Sequence, residues 1–320
     1  MNLQVLMFFA IQFPDIISGK NDYIIGESDG RIIGGHEAKI HSHPYIISLQ
    51  LDFWFVRTHI CGGSLITDNW IITASHCITG SWLIDWLNID AVAGTHDVDF
   101  YDPNTQIIRI IQRIPHPDYA GGVGPHDIGL LKTEYPFTLT DEIQPIKLTD
   151  TFNMKDKIAL AGWGVFSTLL FLPIMPSKLQ EVVMEYLPYK DCYNALEKIV
   201  KESGESNALV KDSNLCTGPI TGGIAACSGD SGGPLVQYVT KITRNNNTLE
   251  YFDENLNNID YEDIGNYRNL NKVTPFPVLI GITSWGISPC GEVGAPTVYT
   301  NVSNYIGFIK SVTELGTISL

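Results

Sequence analysis

Positive charge is scarce in this chain: 20 Lys and Arg stand against 35 Asp and Glu, a formal net charge of −15 over 320 residues. Holding phosphates needs a basic surface, so no nucleic-acid partner is expected. Long apolar runs are also missing. Leu3 to Phe13 is too short to cross a bilayer comfortably and no later stretch reaches membrane-helix length, so no membrane partner is expected either. None of the six cysteines falls in a close Cys-x-x-Cys pair, which leaves a zinc site little basis. No internal repeat is found.

What is present is ordinary in bulk. A hydrophobic content of 44% and a charged content of 17% fit a globular protein, and the length permits one large domain or two. The run from Leu3 to Phe13 follows Met1-Asn2 and reads as a secretory signal peptide over residues 1–19, although no Lys or Arg precedes it. An even number of cysteines in an exported chain implies three disulfides in an oxidising, extracellular setting; the count alone leaves their pairing open. Short apolar runs bounded by Gly, Pro, Asn and Asp, such as Tyr45 to Leu51, Trp70 to Thr73 and Val278 to Ser284, have the rhythm of antiparallel strands and turns. Helical periodicity is confined to Pro188 to about Ile199 and to Val302 to Val312, where Tyr305, Ile306, Ile309 and Val312 share one face.

Three stretches carry chemistry: Thr73-Ala74-Ser75-His76-Cys77, Asp127-Ile128-Gly129-Leu130-Leu131-Lys132 and Gly229-Asp230-Ser231-Gly232-Gly233-Pro234. A serine hydroxyl is a poor nucleophile at neutral pH. It needs a neutral imidazole to take its proton and a carboxylate to hold that imidazole in the right tautomer. These stretches, in the order His76, Asp127, Ser231, resemble the trypsin and chymotrypsin family of serine endopeptidases. Arg31-Ile32-Ile33-Gly34-Gly35, Cys61-Gly62-Gly63-Ser64-Leu65-Ile66, Ala161-Gly162-Trp163-Gly164 and Ser284-Trp285-Gly286 extend the resemblance from Ile32 to about Ile309.

The resemblance implies an all-β fold of two packed six-stranded antiparallel Greek-key barrels with a C-terminal helix. Residues 20–31 become an activation propeptide and 32–320 the protease domain. Catalysis falls to His76, Asp127 and Ser231, with the N–H groups of Gly229 and Ser231 as oxyanion donors. Cleavage between Arg31 and Ile32 by a trypsin-like activator would free an amine to pair with Asp230. The family pattern pairs Cys61 with Cys77, Cys192 with Cys216, and Cys227 with Cys290. Protein or peptide substrates, protein inhibitors, a monomer and no cofactor follow by the same route.

Ser284, Trp285 and Gly286 match the segment that pairs with substrate backbone. Ala225 matches the floor of the primary pocket, with Ala226 beside it, where trypsin-like relatives carry an aspartate. Thr297 stands on the pocket wall where many relatives have glycine. A neutral, shortened pocket implies cleavage after medium or large apolar residues. Other departures are milder: Ser75 and Gly129 replace commoner alanines. Thr95 and Thr105 replace the glutamates of calcium-binding relatives, and threonines are weak ligands for a hard cation, so no metal is expected there.

Between about residues 238 and 276 the chain carries an insertion with nine Asn between Asn245 and Asn271 and many acidic residues. Its composition predicts a solvated loop. Asn246 and Asn301 head glycosylation sequons. Two other functions fit these residues less well. A protease-fold binding protein would usually lack a triad residue, and none is missing; an esterase or lipase of the α/β-hydrolase type conflicts with the chain order.

Overall fold

The structure, a computed structural model, describes residues 33–53, 56–79, 84, 86–165, 167–169, 172–204, 206–244, 247–251 and 270–313. The expected signal peptide and propeptide, the expected cleavage site at Arg31 and Ile32, the sequon residue Asn246 and the middle of the insertion lie outside the described residues.

Six strands close the first barrel in the order β2-β3-β4-β7-β6-β5. They are β2 (Ile46–Asp52), β3 (Arg57–Leu65), β4 (Trp70–Thr73), β5 (Asn88–Ala93), β6 (Gln106–Pro115) and β7 (Gly129–Thr133). Side chains alternate across a strand, and β2 shows what each face meets. Ile47, Leu49 and Leu51 enter the barrel core with Leu65, Ile71, Ile72 and Leu130. Ile46, Ser48 and Gln50, on the other face, are equally buried. That face meets the second half of the protein, where Ile46 packs with Ala161, Trp163 and Leu179.

The second half is a ten-stranded half-barrel. Its main path joins β1 (His36–Glu37), β12 (Gln180–Met184), β9 (Ile158–Gly162), β15 (Pro234–Arg244), β17 (Leu270–Gly286), β18 (Thr297–Asn301), β14 (Asn214–Thr217) and β13 (Tyr186–Leu187). Beside it, β16 (Asn247–Tyr251) pairs with β15, and β8 (Lys147–Leu148) pairs in parallel with β17. A separate hairpin joins β10 (Ser167–Leu169) to β11 (Leu172–Ile174).

The extra strand and the long partners correct the loop expected for the insertion. β15 and β17 stay paired out to Arg244 and Leu270, and β16 adds a third strand along Thr240 to Arg244. Composition was the wrong guide at these flanks, because Val239, Ile242, Thr243, Val273 and Thr274 favour strand wherever a partner is available.

A helix spans Tyr189–Ser203. Pro188 caps its start, where a missing N–H costs nothing, and Gly204 ends it at φ 78. At the C-terminus a 3-10 turn, Val302–Tyr305, leads into the helix Ile306–Thr313. Val302, Tyr305 and Ile309 join the core of the first barrel, so this segment clasps the half that does not produce it. All three disulfides form in the family pattern, with Cα–Cα separations of 6.1, 6.3 and 5.6 Å. Among the described residues no helix is long and apolar enough to cross a membrane.

Candidate active site

His76 lies on a 3-10 turn, Ser75–Cys77, directly after β4, and Cys77 is tied back to Cys61 of β3. Asp127 precedes β7 and is 1% exposed. Its Oδ1 accepts the His76 backbone N–H at 2.9 Å, and its Oδ2 accepts Nδ1–H of the same residue at 2.7 Å. The Ser284 hydroxyl donates to Oδ2 at 2.6 Å, and the Thr300 hydroxyl to the Asp127 carbonyl at 2.7 Å. Burial alone would push the Asp127 carboxyl up. The facing imidazole and the bonds from His76 and Ser284 outweigh it and hold the pKa below the ordinary carboxylate value. For His76, burial opposes charge, but the Asp127 carboxylate prevails and raises the imidazole above its ordinary value. With Nδ1–H committed to Asp127, Nε2 is left as the basic nitrogen, buried and without a hydrogen-bond partner.

Ser231 enters from the second half, in a turn closed by Asp230 N–H to Cys227 O and Gly233 N–H to Asp230 O, both at 2.9 Å. Its carbonyl accepts Gly62 N–H from β3 at 2.7 Å, which seats the turn on the first barrel. No Ser231–His76 hydrogen bond is made; such contacts commonly tighten only when substrate arrives.

Gly229 has φ +99, a conformation that a Cβ would resist, and an added Cβ would also meet Cε of Met175 at 2.6 Å. Its carbonyl accepts from Nε2 of His59 at 2.9 Å. His59 Nδ1 lies 2.8 Å from Ser48 Oγ, which accepts from Gln50 at 3.0 Å, and Gln50 Oε1 accepts from Tyr101 at 2.7 Å. Burial pushes His59 down to about 4, against the Gly229 carbonyl, so it is a neutral donor near pH 7.

Asp230 is fully buried, and its two oxygens accept Gly164 N–H at 2.8 Å and Cys227 N–H at 2.9 Å. A Cβ at Gly162 or Gly164 would collide with its carboxylate, which accounts for both glycines flanking Trp163. Burial lifts its pKa to about 6 despite those two bonds. Nearby, Ala225 N–H bonds to Ile33 O at 3.3 Å, so residue 33 is joined to the segment expected to floor the pocket.

Ala225, Ala226 and Thr297 are buried, and Thr297 pairs in register with Gly286. Ala226 N–H donates to the Thr297 hydroxyl at 3.3 Å. At Gly286, which is exposed, a Cβ would find only Pro296 O, at 4.0 Å. Trp285 is half-buried beside it, and the Cys227–Cys290 disulfide ties the segment after Ala226 to the segment after Gly286.

Several partners were not legible from sequence. The Ser75 hydroxyl donates to Ile128 O at 2.6 Å, stitching the histidine turn to the aspartate strand. Gly129 leaves room for Ile78, whose Cδ1 would stand 2.6 Å from an added Cβ. The resemblance implies only substrate pairing for Ser284, whose hydroxyl also bonds to Asp127. The Thr95 hydroxyl is spent on Asp97 O at 2.6 Å, and Asn301 donates to Asp212 O at 2.9 Å while accepting from Ser303. Cys61, His76 and Cys77 cluster at metal-ligand spacing, but both sulfurs belong to a disulfide.

A buried carboxylate–imidazole pair where a β-barrel meets a half-barrel, with a serine turn seated on the same contact, defines a class, the serine hydrolases of β-barrel architecture. A family model described as Trypsin matches residues 32–243, and the chain belongs to the trypsin family of serine proteases. It is 31% identical over 322 aligned residues to Lectizyme of Glossina austeni, covering 96% of each chain. To Kallikrein 1-related peptidase b22 of Mus musculus it is 30% identical over 290 residues, 88% of each. Trypsin-2 of Salmo salar is 28% identical over 284 residues, 88% of this chain and 95% of that one.

Proposed function

We propose that the chain is a secreted serine endopeptidase made as a zymogen, with a preference for cleavage after medium or large apolar residues. The observation that carries the reading is the His76–Asp127 pair, which leaves Nε2 basic and unpartnered beside the barrel contact that holds Ser231. In this mechanism Nε2 takes the Ser231 proton as Oγ attacks the scissile carbonyl, then returns it to the leaving amine. The N–H groups of Gly229 and Ser231 meet the negative charge that develops on the carbonyl oxygen. His59 fixes the Gly229 carbonyl and so orients that strand of donors.

Zymogen activation is assigned to Asp230. A carboxyl with a folded pKa of about 6 binds its proton more tightly folded than unfolded. Its contribution therefore favours the fold at low pH and is lost as pH rises from the unfolded value of about 3.9 through 6, a cost of about 3 kcal/mol at neutral pH. The Ile32 ammonium released by cleavage after Arg31 would neutralise that charge. Chain cut at Arg31–Ile32 should hydrolyse peptides and unfold at a higher temperature than uncut chain at pH 7, with the gap shrinking below about pH 6. Calorimetry and peptide hydrolysis before and after cutting, with Arg31→Gln as the uncut control, test this. Full activity in uncut Arg31→Gln, or equal stability of both forms at pH 7, would contradict it.

A further inference from the structure

Next to Asp127 in the chain, one ring nitrogen of His116, one of His126 and a carboxylate oxygen of Asp118 lie within 4.8 Å of one another. Two imidazoles and a carboxylate are the donor set that suits a borderline divalent transition ion, whereas calcium and magnesium take oxygen ligands. We propose that His116, Asp118 and His126 form a site for a divalent transition ion such as zinc, with one coordination position left for water.

The geometry is close to what such an ion requires. Tetrahedral bonds of 2.0 to 2.2 Å place ligand atoms about 3.4 Å apart, so the three donors need to close by roughly 1 Å. Asp118 can supply most of that movement, because its side chain is 72% exposed. The rings are already held. His116 and His126 stack at 5.0 Å with their planes 13° apart, and Phe308 and Tyr305 pack on His116 at 4.7 and 5.3 Å. The Tyr305 hydroxyl lies 3.2 Å from Nδ1 of His126, an orienting contact of the kind that fixes metal-ligating histidines. His126 also has φ 64, a left-handed conformation that a residue with a Cβ keeps only when its surroundings impose it.

The place matters because His126 leads directly into Asp127, and His116 N–H bonds to Ile128 O at 2.9 Å. An ion here would grip both ends of the segment that presents the carboxylate. That consequence depends on the catalytic reading; binding does not.

Isothermal titration of the full chain with zinc chloride tests the site. The wild-type chain should take up one equivalent, undisturbed by excess calcium. His126→Asn should weaken binding by at least the 10- to 100-fold, roughly, that loss of even an outer-shell partner costs, and Asp118→Asn, at an exposed position, should weaken it without disturbing the ring stack. No uptake by the wild-type chain, wild-type affinity in either variant, or binding that is lost in His76→Ala but retained in His126→Asn would overturn the proposal.

Discussion

Asp127→Asn should lower kcat about 10⁴-fold with KM little changed, the size of effect this substitution has in a Ser-His-Asp triad. An asparagine can donate its amide N–H to Nδ1 of His76. The imidazole proton would then move to Nε2, where the base must be free to accept from Ser231. The fold should survive, because Thr300 keeps the backbone carbonyl of residue 127 as its acceptor and the Ser284 hydroxyl can accept the second amide N–H. The same substitution should change the pH profile. Asp127 raises the His76 pKa, so activity in the wild-type enzyme should fall, as pH drops, at a value above the ordinary imidazole reference of about 6.5. Without the carboxylate that acid limb should move to lower pH. Steady-state kinetics across pH on both proteins check the rate and the limb together; a loss of less than tenfold, or an unmoved limb, would show that the pair does not carry catalysis.

Specificity gives the second large effect. The activated enzyme should cleave Leu or Phe anilides at least about 100-fold faster, in kcat/KM, than the Arg anilide. Ala225 and Ala226 offer no carboxylate, and the Thr297 hydroxyl is already engaged by Ala226 N–H. An arginine side chain entering there would lose several kcal/mol of hydration with no ion to replace it. Among apolar substrates the preference should be broad, since each methylene that fits contributes only about 1 to 3 kcal/mol. Large side chains should be admitted as well, because a Cβ added at Gly286 would meet only Pro296 O, at 4.0 Å. A measured preference for Arg would show that Ala225 does not lie at the pocket floor.

The parts of this molecule that sequence could reveal are those compressed into short stretches. Ser231, Asp230 and Gly229 are neighbours in the chain, and so are Ser75, His76 and Cys77, so their motifs carried the family, the barrel strands flanking them and the cysteine pairing by resemblance. Contacts made across long separations left no such trace. Ser284 reaches Asp127 from 157 residues away, and nothing near Ser284 announces a bond to a carboxylate. His59, Ser48, Gln50 and Tyr101 form a chain of hydrogen bonds to the Gly229 carbonyl only because β2 and β3 set them side by side. His116, Asp118 and His126 have no familiar ligand spacing; a loop brings the last to the first two. The insertion failed for a different reason. Its Asn and acidic residues dominate the count, while the β-branched residues at its two arms decide the backbone.

Ser231 should become a reactive nucleophile only when Ile32 is freed. Diisopropyl fluorophosphate labelling followed by peptide mass mapping tests it most directly, because the reagent phosphorylates a serine activated as a nucleophile. Chain cut at Arg31–Ile32 should carry one adduct, on Ser231, while uncut chain and the Ser231→Ala variant carry almost none. An adduct on another residue, or equal labelling before and after the cut, would contradict the account.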